Sequence, residues 1–396
     1  MSARYDLVVI GAGINGAGVA QAAAAAGHRV LLLEKTGVAA GTSSGSSKLI
    51  HGGLRYLETF EIGLVRESLQ ERALLCRLAP DLVQLKDFFI PIYKETRRRP
   101  WLLHAGLSLY SVLAGFEKDT RYGTVPRREW ASLDGLKTDG LTAVFRYHDA
   151  QTDDRLLSMA VVNSAQTLGA DFLCPAAFVG ARVTDEGAEV TYRTGATEHT
   201  VQARVLVNAA GHWANEVLAR IEPAVPILPI DRVQGAHIVV DGQLDKGFYY
   251  VESPRDGRAV FVMPWYDQVL VGTTETRFHG SPDEVRALPT EVRYLCKVLG
   301  HYFPAYRDVS PADVRKTYVG VRVLPAGEGH VFARSRDVVM HADRPAADGP
   351  PRVFTLYGGK LTTYRRIAEQ AMDQLAPALP VRKAIADTAR LPLQRP

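Results

Sequence analysis

The residues with the clearest chemical meaning stand near the N-terminus in VVIGAGINGAG, where Gly11, Gly13 and Gly16 form a GxGxxG pattern directly after an apolar run. A turn of this kind serves a phosphate. One glycine makes the tight bend, one lets the backbone approach a pyrophosphate, and one lets helix and strand pack closely. Ile14 and Asn15 are expected contacts in the same turn, and the helix that follows points its free N–H groups at the same anion. Glu34 ends the next apolar run, 18 residues after Gly16, where a carboxylate binds ribose hydroxyls and repels a 2′-phosphate, and Lys35 follows it. The pattern predicts a dinucleotide site and leaves NAD and FAD equally open. The stretch GTSSGSSKLIHGGLRYLE, residues 41–58, then sets Thr42, Ser43, Ser44, Ser47, Lys48, Leu49 and His51 among Gly52 and Gly53. It offers short donors to a pyrophosphate or flavin, and by composition it is equally a solvent loop.

Positioning these groups requires a strand, a helix and a second strand, and residues 5–10, 16–27 and 29–33 have those patterns. A second helix is expected over 61–78, stopped by Pro80, and a third over 154–168. Between them, residues 87–128 read as short strands, prolines and basic residues, the first crossing into another domain. Alternating segments at 236–240, 259–263 and 269–272 have the period of half-buried antiparallel strands. Strand, turn and helix return over 352–375. The expected architecture is α/β: a Rossmann-like cofactor domain from residues 1–80, 151–217 and 331–390, interleaved with a substrate domain from 81–150 and 218–330 on a mostly antiparallel sheet.

With 396 residues, 46% hydrophobic, the chain can bury more than one domain's core. A formal net charge of +4 argues against nucleic acid as partner and suits a small anion. Three scattered cysteines, Cys76, Cys174 and Cys296, suggest neither disulfides nor a zinc site, so no metal and a reducing, cytoplasmic setting are expected. The N-terminus enters a strand too early for a secretory signal, and no apolar run reaches about 18 residues. The stretch 97–116 places three arginines before Trp101 and an apolar segment, which fits either a core helix after a basic loop or a helix lying on an anionic membrane.

Several motifs together resemble one family. GINGAG, TSSGSSKLIHGGLRYLE, NAAGHW at 208–213, GTTE at 272–275, GVR at 320–322 and YGGKLTTYR at 357–365 follow the order seen in FAD-dependent glycerol-3-phosphate dehydrogenases, within the D-amino-acid-oxidase-like flavoprotein fold. The resemblance covers about residues 5–376 and implies FAD, a small phosphorylated alcohol as substrate, and quinone or oxygen as electron acceptor. It adds Ala210, Gly211, Trp213, Gly359, Lys360, Leu361 and Thr362 to the expected cofactor contacts, with Thr362 or Thr363 as helix cap. A phosphate needs several converging cations, and the resemblance points to Arg55 with Tyr56, to Arg322 and to Lys360. Arg336 matches less specifically, and Arg334 competes with it.

Alcohol oxidation also needs a proton acceptor beside the hydroxyl. The resemblance favours His237 for that part, with Arg322 beside it, and His51 as rival nearer the cofactor. His212 and Glu275 stand where the family usually has proline and aspartate, and the family's C-terminal helical domain has no counterpart in this chain. These departures keep open a related phosphate or phosphonate alcohol, an amine or amino-acid oxidase of the same fold, and a non-catalytic dinucleotide-binding module.

Overall fold

The computed structural model describes residues 3–115, 120–326, 337–344 and 349–396. At its centre β1 (Arg4–Ile10) lies parallel to β2 (Val30–Leu33) on one side and to the strand Thr197–Asn208 on the other. Val9 stands opposite Leu32 and Val207, and all three are fully or nearly fully buried. Such unbroken apolar runs suit a parallel sheet covered on both faces. The helix α1 (Ile14–Ala25) joins β1 to β2 and is buried almost all round, wedged against the helices Asp154–Thr167 and Tyr364–Leu375. Its alanines permit that close approach. The strands at 171–173, 177–184, 187–194, 221–222, 339–343 and 353–357 complete a nine-stranded sheet.

A second sheet of ten strands is mostly antiparallel and includes Ile230–Asp241, Ala259–Trp265, Gln268–Gly272 and Val314–Pro325. It also takes Leu49–Ile50 from the hydroxyl-rich stretch and Leu141–Thr152. Between 87 and 128 the expected short strands give way to a long one, while the helix expected within 97–116 is present. The region holds one 11-residue strand, Val83–Tyr93, and a 14-residue helix, α3 (Pro100–Leu113), with α2 (Ile62–Leu78) packed beside it. Pro100 at the first turn of α3 starts the helix, where its missing N–H costs nothing. Among the described residues no helix is long and apolar enough to cross a membrane. After Leu375 the chain runs back along the first sheet's layer, where Ile385 N–H donates to Ala25 C=O at 2.8 Å and Leu393 N–H to Leu78 C=O at 2.8 Å.

Candidate active site

A cavity of about 510 Å³ runs from the carboxyl end of β1 and β2 to the face of the second sheet. Its first half is the glycine turn. Gly11 has φ +98°, and a Cβ there would lie 2.8 Å from the Ala209 carbonyl, so only glycine fits. Glu34 Oε2 accepts from Ala12 N–H at 2.9 Å, while Oε1 accepts from Thr36 N–H and its hydroxyl. The carboxylate is thus held rigid at the cavity wall. Ser43 Oγ accepts from Ile14 N–H at 2.9 Å at the start of α1, and Asn15 donates through Nδ2 to Gly358 C=O. Asn15 Oδ1 is buried with no hydrogen-bond partner, an acceptor waiting for a donor the protein does not supply. At the far rim the Lys35 ammonium sits 4.0 Å over the Trp213 ring, and both donate to Asp283 Oδ1.

Gly13, Leu49, His51, Ala210, Gly211, Gly359, Leu361 and Thr362 also line this cavity, together with Thr42, Ser47, Tyr56, His237, Arg322 and Lys360. The hydroxyl-rich stretch is therefore a wall, docked on the strand Val314–Pro325 where Thr42 Oγ1 donates to Val321 C=O and accepts from its N–H. A Cβ on Gly45 would come within 2.1 Å of the Val319 carbonyl, which is why that loop can lie so close. Thr363 stands at the helix cap position but makes no side-chain cap bond. The Thr362 hydroxyl instead accepts from His51 N–H at 3.1 Å, tying the two walls together.

Other expected contacts lie elsewhere. Gly16, Ser44, Lys48, Gly52, Gly53 and Arg55 do not line the cavity. Gly16 packs α1 on the turn, since a Cβ would meet the Gly11 carbonyl at 1.9 Å. Gly52 is pressed against Tyr110 and Leu69, and Gly53 against the Tyr56 ring. Lys48 is the clearest correction: its ammonium is sealed from solvent, donating to Asp154 Oδ1 at 2.7 Å and to Ser44 C=O at 2.5 Å. Desolvation forces this pairing, because a buried ammonium without a carboxylate would not stay charged. Arg334 and Arg336 fall outside the described residues.

Arg322 and Lys360 line the second half of the cavity, and Glu275 and Arg55, which do not line it, connect to it through Arg322. Glu275, nearly buried, offers Oε1 to both Arg322 at 2.9 Å and Arg55 at 3.4 Å, and its backbone carbonyl accepts from Arg258. Lys360 holds its ammonium 4.2 Å over the Tyr56 ring. One carboxylate therefore gathers two guanidiniums, and Lys360 also lies 3.9 Å from the Asp337 carboxylate. His237 lies on Ile230–Asp241, 2% exposed, and Ser47 Oγ is 2.9 Å from its Nε2. Gly272 is its cross-strand partner, and a Cβ there would strike the ring at 2.0 Å. Burial first, then Lys48 and Arg322, push its pKa down to about 3, so the imidazole is neutral at pH 7. His212 stacks on Trp213 with centroids 3.7 Å apart and is also held neutral, its pKa lowered to about 4 mainly by burial.

Sequence reading missed Gly272, Glu275 as a gathering point for the arginines, and Asp154 and Asp283 as partners of the two lysines. Asp154 lies 106 residues from Lys48, so no local pattern announces the pair. Among the described residues there is no metal-binding group of His, Cys, Asp and Glu.

A parallel sheet with a glycine turn, an elongated cavity and a neutral histidine opposite a cation cluster define a dinucleotide-dependent redox enzyme. The chain belongs to the FAD-dependent oxidoreductase family, whose model matches residues 6–365. It is 37% identical to a glycerol-3-phosphate dehydrogenase of Synechocystis sp. over 94% of this chain and 70% of the relative. It is also 37% identical to the D-erythritol 1-phosphate dehydrogenase of Brucella abortus, over 95% and 74%. The fold matches the FAD complex of the Bacillus halodurans glycerol-3-phosphate dehydrogenase with TM-score 0.76 and 24% identity, over 98% of this chain and 68% of that one. Glycine oxidase from Geobacillus kaustophilus shares the fold at TM-score 0.73 and 19% identity, each chain fully covered.

Proposed function

We propose that this enzyme oxidises the secondary hydroxyl of sn-glycerol 3-phosphate to the ketone of dihydroxyacetone phosphate. The observation that carries the reading is that Arg322 and Lys360 line the same cavity as a neutral, buried His237, with Arg55 joined to Arg322 through Glu275. A dianionic phosphate matches such a cluster, whereas a single carboxylate would need only one arginine. FAD, when bound, supplies the two-electron acceptor for the carbon-bound hydrogen. The glycine turn, the Glu34 wall and the orphaned Asn15 acceptor are the residues that would hold it. Arg322 and Lys360 bind and orient the phosphate, with Arg55 joined to Arg322 through Glu275, and His237 takes the hydroxyl proton at its imidazole. That requires it to be unprotonated beforehand, as its surroundings ensure.

Anaerobic mixing of the holoenzyme with sn-glycerol 3-phosphate should bleach the flavin band, and Arg322→Ala should weaken substrate binding roughly 100-fold, about the loss of one charge-assisted contact of 2–3 kcal/mol. Bleaching by erythritol 1-phosphate alone would shift the substrate to the longer polyol. Bleaching by glycine or sarcosine and by no phosphate would sink the proposal, as would a flavin that none of these reduces.

We infer further that α3 lies on an anionic membrane, from which quinone rather than oxygen takes the electrons. Its outer face is apolar, with Trp101 70% exposed beside exposed Leu102, Leu109 and Val112, and Phe60 at 84% in the turn before α2. Arg97 and Arg99 are exposed at its N-terminal end, which suits anionic headgroups. Arg98 takes a different part, bridging Glu58 at 2.7 Å and Glu252 at 3.1 Å. The wild type should co-sediment with phosphatidylglycerol vesicles, and Trp101→Asp with Val112→Asp should remain in the supernatant. Equal sedimentation of both would remove this surface from the account.

A further inference from the structure

His237 lines the cavity, and its two ring nitrogens differ in what they meet. Nδ1 is buried, and Tyr318, the cross-strand neighbour, offers the ring a backbone hydrogen bond that falls outside ideal geometry. Nε2 is hydrogen-bonded to Ser47 Oγ at 2.9 Å. Ser47 is half-buried and lines the cavity, so the group bonded to Nε2 is on a residue that a bound substrate meets. The loop that carries it is fixed from below: Lys48 is tied to Asp154, Ser46 Oγ donates to Asp154 Oδ2 at 2.6 Å, and Lys48 N–H donates to Ser46 Oγ at 3.0 Å. A hydroxyl anchored on both sides by a buried ion pair does not swing away freely.

We propose that Ser47 is a catalytic residue, a hydroxyl relay through which the substrate's proton reaches His237. The inference rests on the alcohol-oxidation reading above. The substrate hydroxyl proton passes to Ser47 Oγ as the proton already on Oγ passes to His237 Nε2. Serine ends neutral, the imidazole ends with one proton more, and the carbon-bound hydrogen leaves with its electron pair to FAD, the oxidant of the reaction. No water is needed between substrate and base. Lys48 and Asp154 are positioning residues for this relay, acting through the backbone on either side of Ser47.

The test is single-turnover flavin reduction in the holoenzyme with sn-glycerol 3-phosphate. Ser47→Ala should reduce flavin about 100-fold more slowly, near the lower end of general acid–base effects, with substrate affinity little changed. Ser47→Thr, which keeps the hydroxyl, should retain most of the rate. Because relay and base act as one unit, Ser47→Ala combined with His237→Gln should be no slower than His237→Gln alone. A wild-type rate in Ser47→Ala, or losses that multiply in the double variant, would overturn the relay. If the wild type is not bleached at all, the substrate reading fails first, and a spectroscopic arm still decides the relay. The ¹⁵N resonance of His237 Nε2 in the oxidised holoenzyme, recognised by its loss in His237→Gln, should move in Ser47→Ala. An unmoved resonance would remove the hydrogen bond on which the relay depends.

Discussion

His237→Gln is expected to slow flavin reduction by sn-glycerol 3-phosphate by about 10²–10⁴-fold while leaving substrate affinity within a few-fold of the wild type. The size follows from what the residue alone supplies. Glutamine keeps the volume and a polar end but cannot take up a proton, and the cations that bind phosphate are untouched. Burial, then Lys48 and Arg322, oppose protonation of the imidazole, lowering its pKa to about 3, which keeps it unprotonated before the reaction but makes it a weaker base. The reaction therefore does not lose its base as pH falls from 8 to 5. Stopped-flow traces across that range, with FAD content measured for each variant, check both statements. Reduction at the wild-type rate in His237→Gln would assign proton removal to another group.

Lys48→Met is expected to destabilise the protein by about 3–5 kcal/mol, since it strands the Asp154 carboxylate in a site 0% exposed. Double replacement by Met and Leu should recover much of that loss, because two apolar side chains carry no desolvation penalty. Denaturant melts of the two variants measure the difference, and equal midpoints for the wild type and Lys48→Met would show that the pair contributes nothing. The pH dependence has a defined sign. Burial already raises the Asp154 carboxyl above its ordinary 3.8 despite Lys48. Without the lysine it rises further, so the deficit should grow as pH increases above the ordinary carboxyl range, where the unfolded chain is ionised and the folded site resists ionisation. His237 acts in the opposite direction. Its folded pKa lies below 6.5, so its share of stability is complete above pH 6.5 and is lost as pH falls toward 3.

Much of the cofactor domain was legible because its signals are local. The turn at Gly11, the alanines of α1 and the apolar runs of β1 and β2 each specify backbone shape within a few residues, and the strands and helix stand within about three positions of where periodicity puts them. In the region 87–128 the helix expected within 97–116 is present as α3, whose buried Leu103, Leu107 and Tyr110 recur at helical spacing, whereas the short strands expected around it are one long strand, Val83–Tyr93, whose partners come from distant sequence.

By itself the sequence determined the glycine turn, the carboxylate that ends β2, and the set of cations and histidines from which a site could be built. Tertiary structure alone decided which of them meet. Lys360 reaches the cavity while Lys48, from a motif just as suggestive, is buried on Asp154. Glu275 brings Arg55 and Arg322 together across 220 and 47 residues of chain. The physical reason is desolvation: whether a charged side chain binds a ligand or a neighbour depends on what else is buried beside it, and those neighbours come from distant strands whose register no local pattern records.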